Sequence, residues 1–152
     1  MTRQPNTNSR KSRRILLVDD EPTILKIVGM RLERAGFEVV MATDGQEALA
    51  KARIANPDAI LLDLMLPKLS GLEVCAALKQ DARYRHIPIV IFTARGNPTD
   101  ETLCRECGAN AYIDKPKGTD ALLEQIEILL GRLTGPAASS ETPPAPSPST
   151  SA

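Results

Sequence analysis

Three stretches of this chain, residues 15–18 (ILLV), 59–62 (AILL) and 89–92 (IVIF), are apolar without alternation and only four residues long. A strand with one wet face would alternate and a buried helix would run longer, so each reads as a strand covered on both faces. Two further strand-length runs, 39–42 (VVMA) and 111–113 (AYI), complete a set of five. The segments between them have helical character. After Pro22, which suits a first helical turn, Ile24, Ile27, Val28, Leu32 and Ala35 recur at helical spacing until Gly36. Asp44 with Glu47 has the form of a capping box ahead of Ala48, Leu49, Ala52 and Ala55, and Pro57 closes that helix. A third helix is predicted from Ser70-Gly71, burying Leu72, Cys75 and Ala76, and a fourth from Asn97, Pro98, Asp100 and Glu101. The fifth follows Thr119 with a stripe of Leu122, Ile126, Leu129, Leu130 and Leu133. Strands and helices alternating in this way, joined by right-handed crossovers, imply an α/β fold: a doubly wound, five-stranded parallel sheet with helices on both faces.

Length and composition set bounds on function. The 152 residues fit one domain, and 42% hydrophobic residues can supply its core. Charge balances overall, but unevenly along the chain. Residues 1–14 hold five basic groups and no acid, residues 135–152 hold only Glu141, and the 120 residues between carry a net charge of −4. That acidic core argues against direct nucleic-acid binding. The last 18 residues, with five Pro, five Ser and four Ala, cannot bury enough surface to offset ordering and read as a disordered tail. Residues 1–14 read as a basic disordered arm. The run 15–18 stops at two aspartates, too short for a signal peptide, and no stretch has the ~20 apolar residues of a membrane helix. Three cysteines without an export signal fit reduced thiols, so a cytoplasmic location is expected.

In an open parallel sheet, chemistry collects outside the carboxyl ends of the strands. The first run ends in Asp19-Asp20, the third in Asp63, the fourth in Thr93, and the fifth reaches Lys115-Pro116 after Asp114. Three carboxylates within about 5 Å would repel by roughly 3 kcal/mol per pair at an effective dielectric near 20. A hard divalent cation with oxygen ligands, Mg²⁺, answers that charge. A carboxylate held beside Mg²⁺, with a lysine and a hydroxyl aimed at the same spot, is arranged to accept a phosphoryl group, which makes Asp63 a candidate nucleophile.

The motifs LLVDDE (16–21), LLDLMLPKLSG (61–71), FTA (92–94) and GANAYIDKP (108–116), in this order, resemble the receiver domain of bacterial two-component response regulators, chemotaxis-type single-domain regulators among them. The resemblance spans residues 15–134. It implies a (βα)5, flavodoxin-like fold with strand order 2-1-3-4-5. Position by position, Asp63 resembles the phosphoacceptor, and Asp19 and Asp20 resemble Mg²⁺ ligands, with Met65 adding its backbone carbonyl. Lys115 resembles the phosphoryl-binding lysine, joined to Pro116 by an expected cis peptide, and Thr93 and Tyr112 resemble the switch pair. The family precedent implies phosphotransfer from a sensor histidine kinase or phosphotransfer protein. A switched surface of helix 4, strand 5 and helix 5 then binds a downstream target protein, by a monomer or a phosphorylation-dependent dimer. Such a chain is not an enzyme beyond its own phosphorylation and dephosphorylation.

Departures from the family pattern are Lys117, where Phe is frequent, and Cys104, Arg105 and Cys107 in helix 4. Met65 and Arg95 flank the expected path of a hydrolytic water and are poorly suited to orient it, so a long-lived phosphorylated form is expected. Cys104-x-x-Cys107 with Cys75 and His86 would number four zinc ligands, but they come from separate segments. A phosphatase with an aspartyl intermediate, of the haloacid dehalogenase type, would carry a second Asp where Met65 stands. A DNA-binding transcriptional regulator needs an output domain, and the 18 residues from Gly135 are too few for one. The expectation is a stand-alone receiver; the alternative is a receiver fragment of such a regulator.

Overall fold

The computed structural model describes residues 13–94, 98–115 and 118–131. The strands are β1 (Arg14–Val18), β2 (Glu38–Ala42), β3 (Ala59–Leu62), β4 (Ile89–Thr93) and β5 (Ala111–Asp114). They alternate with helices α1 (Pro22–Arg34), α2 (Gly45–Ala55), α3 (Gly71–Lys79), α4 (Pro98–Glu106) and α5 (Gly118–Leu129). All pairings are parallel and the order is β2-β1-β3-β4-β5, as expected. Residues 1–12 of the expected basic arm, the Pro-rich tail, Leu133, Arg95, Asn97, Lys117 and the Lys115-Pro116 peptide lie outside the described residues, whereas Arg14, expected in the arm, instead opens β1 opposite Glu38.

The non-alternating strands are explained by two cores. Leu16, Val18, Ile60, Leu62, Ile89 and Ile91 point to one face and pack with Ala48 and Ala52 of α2, Val74, Cys75 and Leu78 of α3 and Cys104 of α4. Ile15, Leu17, Ala59, Leu61, Val90 and Phe92 point to the other and meet Val28 and Leu32 of α1 and Leu122 and Ile126 of α5. Every second residue serves the opposite face, so both sets must be apolar. Burying each large aliphatic side chain contributes about 1.5–3 kcal/mol.

Local signals hold with corrections. Asp44 caps α2 by accepting from the Glu47 amide at 2.8 Å. The Glu47 carboxylate, however, reaches past Asp44 to the Thr43 amide (2.7 Å) and hydroxyl (3.0 Å), so the expected reciprocal box is shifted by one residue. The full reciprocal box is instead at α3, between Ser70 and Glu73. Asn56, in the left-handed region at φ 50°, ends α2 ahead of Pro57. α3 turns Val74, Cys75 and Leu78 inward, while Leu72 and Ala76 are only partly buried. In α1, Ile27 faces outward, half exposed, and Gly29 occupies the buried position beneath Met41. α5 begins at Gly118, just before the expected start.

Candidate functional site

The register of the sheet delivers the site residues to one edge. Hydrogen bonding continues one residue past the strands: the Asp19 amide donates to the Ala42 carbonyl and the Asp63 amide to the Val18 carbonyl, each at 3.1 Å. Asp19 and Asp63 are therefore fixed side by side on adjacent strands. Thr93 is the last residue of β4, fully buried and paired with Asp114, and Lys115 follows β5 directly. The turn after Asp63 is held tightly. The Gly71 amide donates to the Leu64 carbonyl at 3.0 Å, and a Cβ on Gly71 would lie 2.2 Å from the Asp63 carbonyl oxygen. No side chain fits there, so glycine lets α3 begin against the backbone of the reactive edge.

One oxygen from each of Asp19, Asp20 and Asp63 lies within 4.8 Å of the others. Asp19 is 1% and Asp63 5% exposed, while Asp20 faces solvent. The Lys115 ammonium sits among them, 2.9 Å from Asp19, 3.0 Å from Glu21 and 3.4 Å from Asp63. Burial is the main force raising the Asp19 pKa, and the neighbouring Asp63 charge adds to it. The Glu21 amide, donating at 2.9 Å, and Lys115 offset part of the rise. For Lys115, burial works against the ammonium. The hydrogen bonds to Asp19 and Glu21 and the charges of Asp63 and Asp19 outweigh it and hold the pKa above the ordinary lysine value. Asp20, Glu21, Asp63, Met65, Thr93, Ala94 and Lys115 line an open cleft of about 210 Å³. That space is ample for a tetrahedral anion with bound water.

The triad fits a hard divalent cation. It offers oxygens only, from two buried carboxylates and one exposed, and a single ammonium compensates their charge only in part. Among the described residues it is the one group of three or more His, Cys, Asp or Glu side chains able to hold a metal. The zinc set is not brought together, since His86 is exposed and Cys75 and Cys104 are buried in the core. The Cys75 thiol donates to the Cys107 carbonyl at 3.6 Å. Burial pushes its pKa up to about 12 and that of Cys104 up to about 11, which also removes them as reactive thiolates.

Met65 is half exposed on the cleft, its amide 3.4 Å from the Asp63 carboxylate that accepts from it. Tyr112 lies on β5 opposite Ile91, partly buried against the core. Burial is the first cause, and the Asp114 charge the next, that push its phenol up to about 12. The strand ends do not point to the charged lining residue Glu21. Glu21 sits within LLVDDE, but its partner Lys115 is 94 residues away. The available signal was a glutamate at a helix N-cap, immediately before Pro22, where Ser, Thr, Asp or Asn is the usual choice.

Comparison with known proteins agrees with the geometry. The family model described as "Response regulator receiver domain" matches residues 15–127. The chain is 42% identical over 130 residues to the alkaline phosphatase synthesis transcriptional regulatory protein PhoP of Bacillus subtilis, covering 86% of this chain and 53% of PhoP. It is 39% identical over 117 residues to the polar-differentiation response regulator DivK of Brucella ovis, covering 77% of this chain and 95% of DivK. The chain thus spans about half the length of PhoP and of the similarly matched regulators RpaA and ycf27, and nearly all of DivK. Among solved structures, a putative response regulator from Chloroflexus aurantiacus superposes with a TM-score of 0.76 at 33% identity, covering 80% of this chain and all of that one. The chemotaxis response regulator CheY4 of Vibrio cholerae gives 0.73 at 33%, covering 78% of this chain and 99% of that one. A matching family model that runs from the first strand into the last helix takes in both the sheet and the cleft at its edge, and the chain belongs to the response regulator receiver domain family.

Proposed function

We propose that this chain takes a phosphoryl group from the phosphohistidine of a sensor kinase or phosphotransfer protein onto Asp63, and that the aspartyl phosphate controls binding to another protein. The observation that carries the reading is the convergence, at the carboxyl edge of the sheet, of Asp63 with two further carboxylates and the Lys115 ammonium. Asp63 is the acceptor: its carboxylate oxygen attacks phosphorus, a P–O bond forms as the P–N bond breaks, and the electron pair leaves with the imidazole, which takes up a proton. Asp19, Asp20, Asp63 and the Met65 backbone carbonyl would hold Mg²⁺, which supplies positive charge to the oxygens of the transferring group. Lys115 neutralises a further phosphoryl oxygen. Thr93, at the end of β4, supplies a hydroxyl that turns to the bound phosphoryl group, and Tyr112 on β5 follows it inward. That pair biases the surface formed by α4, β5 and α5 toward the binding state. A cis Lys115-Pro116 peptide is part of the same proposal and would orient the lysine.

The working unit is proposed to be residues 15–134 together with Arg14, which opens β1, between a basic arm (1–13) and a Pro/Ser/Ala-rich tail (135–152), acting in the cytoplasm as a stand-alone regulator, a monomer or a phosphorylation-dependent dimer. Among the described residues no helix is long and apolar enough to cross a membrane. The test is incubation with a small-molecule phosphodonor with and without Mg²⁺. One phosphoryl group per chain, dependent on Mg²⁺ and abolished by Asp63→Asn, supports the reading. Continuous turnover of a phosphoester without a stable phosphoprotein would favour a phosphatase instead.

A further inference from the structure

Lys115 has three ammonium hydrogens, and three carboxylates surround it: Asp19 at 2.9 Å, Glu21 at 3.0 Å and Asp63 at 3.4 Å. Before transfer, while Asp63 is still a carboxylate, an oxygen of the incoming phosphodonor can be bound by this lysine only if one carboxylate gives up its hydrogen bond. The three are not equal. Before transfer the side chains of Asp19 and Asp63, 2% and 5% exposed, both carry charge, so releasing either to admit the donor leaves a buried charge short of a partner. The Glu21 side chain is 60% exposed and is rehydrated as it leaves, which makes it the least costly partner to lose.

Glu21 is also unengaged, through its side chain, with the helix it precedes. It occupies the N-cap of α1, where a side chain ordinarily accepts from the first turn, yet it makes no side-chain cap bond. Its contributions to local structure are from the backbone: its amide donates to Asp19 at 2.9 Å and its carbonyl accepts from the Leu25 amide at 3.1 Å. The carboxylate is thus spare with respect to the helix and directed across the cleft mouth at Lys115.

From this we propose that Glu21 is a positioning residue for Lys115. Before phosphorylation its carboxylate holds the ammonium toward the mouth of the cleft and limits its closure onto Asp63; as the phosphodonor enters, ahead of transfer, the donor's oxygen takes Glu21's place. The inference rests on the phosphotransfer reading above. Without Glu21 the ammonium closes onto Asp63 and competes there with the cation, and the cleft has one negative charge fewer. Mg²⁺ then binds more weakly, while an anionic phosphodonor meets less repulsion and an ammonium with a donor already free.

The experiment titrates MgCl2 into the full chain by calorimetry and measures phosphorylation by acetyl phosphate at saturating Mg²⁺, for wild type, Glu21→Ala, Glu21→Ser, Lys115→Ala and the Glu21→Ala/Lys115→Ala double variant. Glu21→Ala is expected to weaken Mg²⁺ binding by the order of threefold and to speed phosphorylation by a similar factor, as for one unit charge removed at a water-exposed site. Its thermal midpoint stays at the wild-type value. Glu21→Ser gains a cap, raises the midpoint, and moves Mg²⁺ binding and rate as Glu21→Ala does. With Lys115 absent, the effect of Glu21→Ala on Mg²⁺ binding shrinks. The inference is overturned if binding and rate fall together, if neither moves, or if the two substitutions act independently on Mg²⁺ binding. Failure of wild type to phosphorylate would instead remove the phosphotransfer reading, and the Mg²⁺ titrations would still decide whether Glu21 and Lys115 are coupled.

Discussion

In the middle of the sheet Leu16, Leu61 and Ile91 are wholly buried among aliphatic neighbours, whereas just past the strand ends Asp19 and Asp63 are almost as buried and carry charge. The same strands build both regions. The interior contributes stability through apolar area, about 1.5–3 kcal/mol for each large side chain. The edge sets two buried carboxylates, Asp19 and Asp63, against one ammonium beside the exposed Asp20, and desolvation of each buried ion costs several kcal/mol before pairing returns part of it. The edge is therefore tolerated because the interior is sound, and substitutions in the two regions should have opposite signatures.

The largest effect is expected in the interior. Leu61→Ala removes a fully buried side chain from between α1, α5 and the sheet and should lower unfolding free energy by about 2–5 kcal/mol in a denaturant titration, while the folded fraction still phosphorylates. At the edge, Asp19→Asn should do the reverse. The amide keeps an acceptor for the Glu21 N–H but removes a buried charge. Stability should then hold or rise by roughly 1 kcal/mol, while calorimetric Mg²⁺ binding is lost. A large destabilisation by Asp19→Asn would break the contrast between the regions.

Much of that contrast is legible in the sequence. Apolar runs without alternation announce strands buried on both faces, and the polar residue ending each run announces the edge, because chain direction alone sends every carboxyl end of a parallel sheet to one side. Relations between side chains of different elements are not legible. α3 presents Val74, Cys75 and Leu78 to the sheet because the placement of β3 and β4 beneath it, not its own period, chooses the inward stripe. The Glu47 carboxylate passes over Asp44 to Thr43, a choice of reach that the spacing of the box does not specify. Glu21 meets Lys115 only because β1 and β5 end at the same edge of one sheet.

Two smaller predictions sharpen the comparison away from the buried charges. Met65, half exposed on the cleft, has no group to orient a hydrolytic water. Met65→Asn should shorten the lifetime of the phosphorylated form several-fold, and an unchanged decay would remove Met65 from the account. On the surface, the Thr43 amide first and Lys51 next hold Glu47 down to about 2. A carboxyl depressed in the folded state stabilises above its unfolded value, here about 4.5, and that contribution is lost as pH falls toward 2. With the side chain 34% exposed, screening keeps it small. Glu47→Gln should cost less than about 1 kcal/mol at pH 7, and the difference from wild type should vanish near pH 2.

The central claim is that Asp63 is the one acceptor. Its most direct test is peptide mass mapping of the chain after reaction with a small-molecule phosphodonor and Mg²⁺. The account predicts a single, acid-anhydride-type phosphoryl group on the peptide containing Asp63, absent without Mg²⁺ and absent in Asp63→Asn. A phosphoryl group on any other peptide, or one that survives Asp63→Asn, would contradict it.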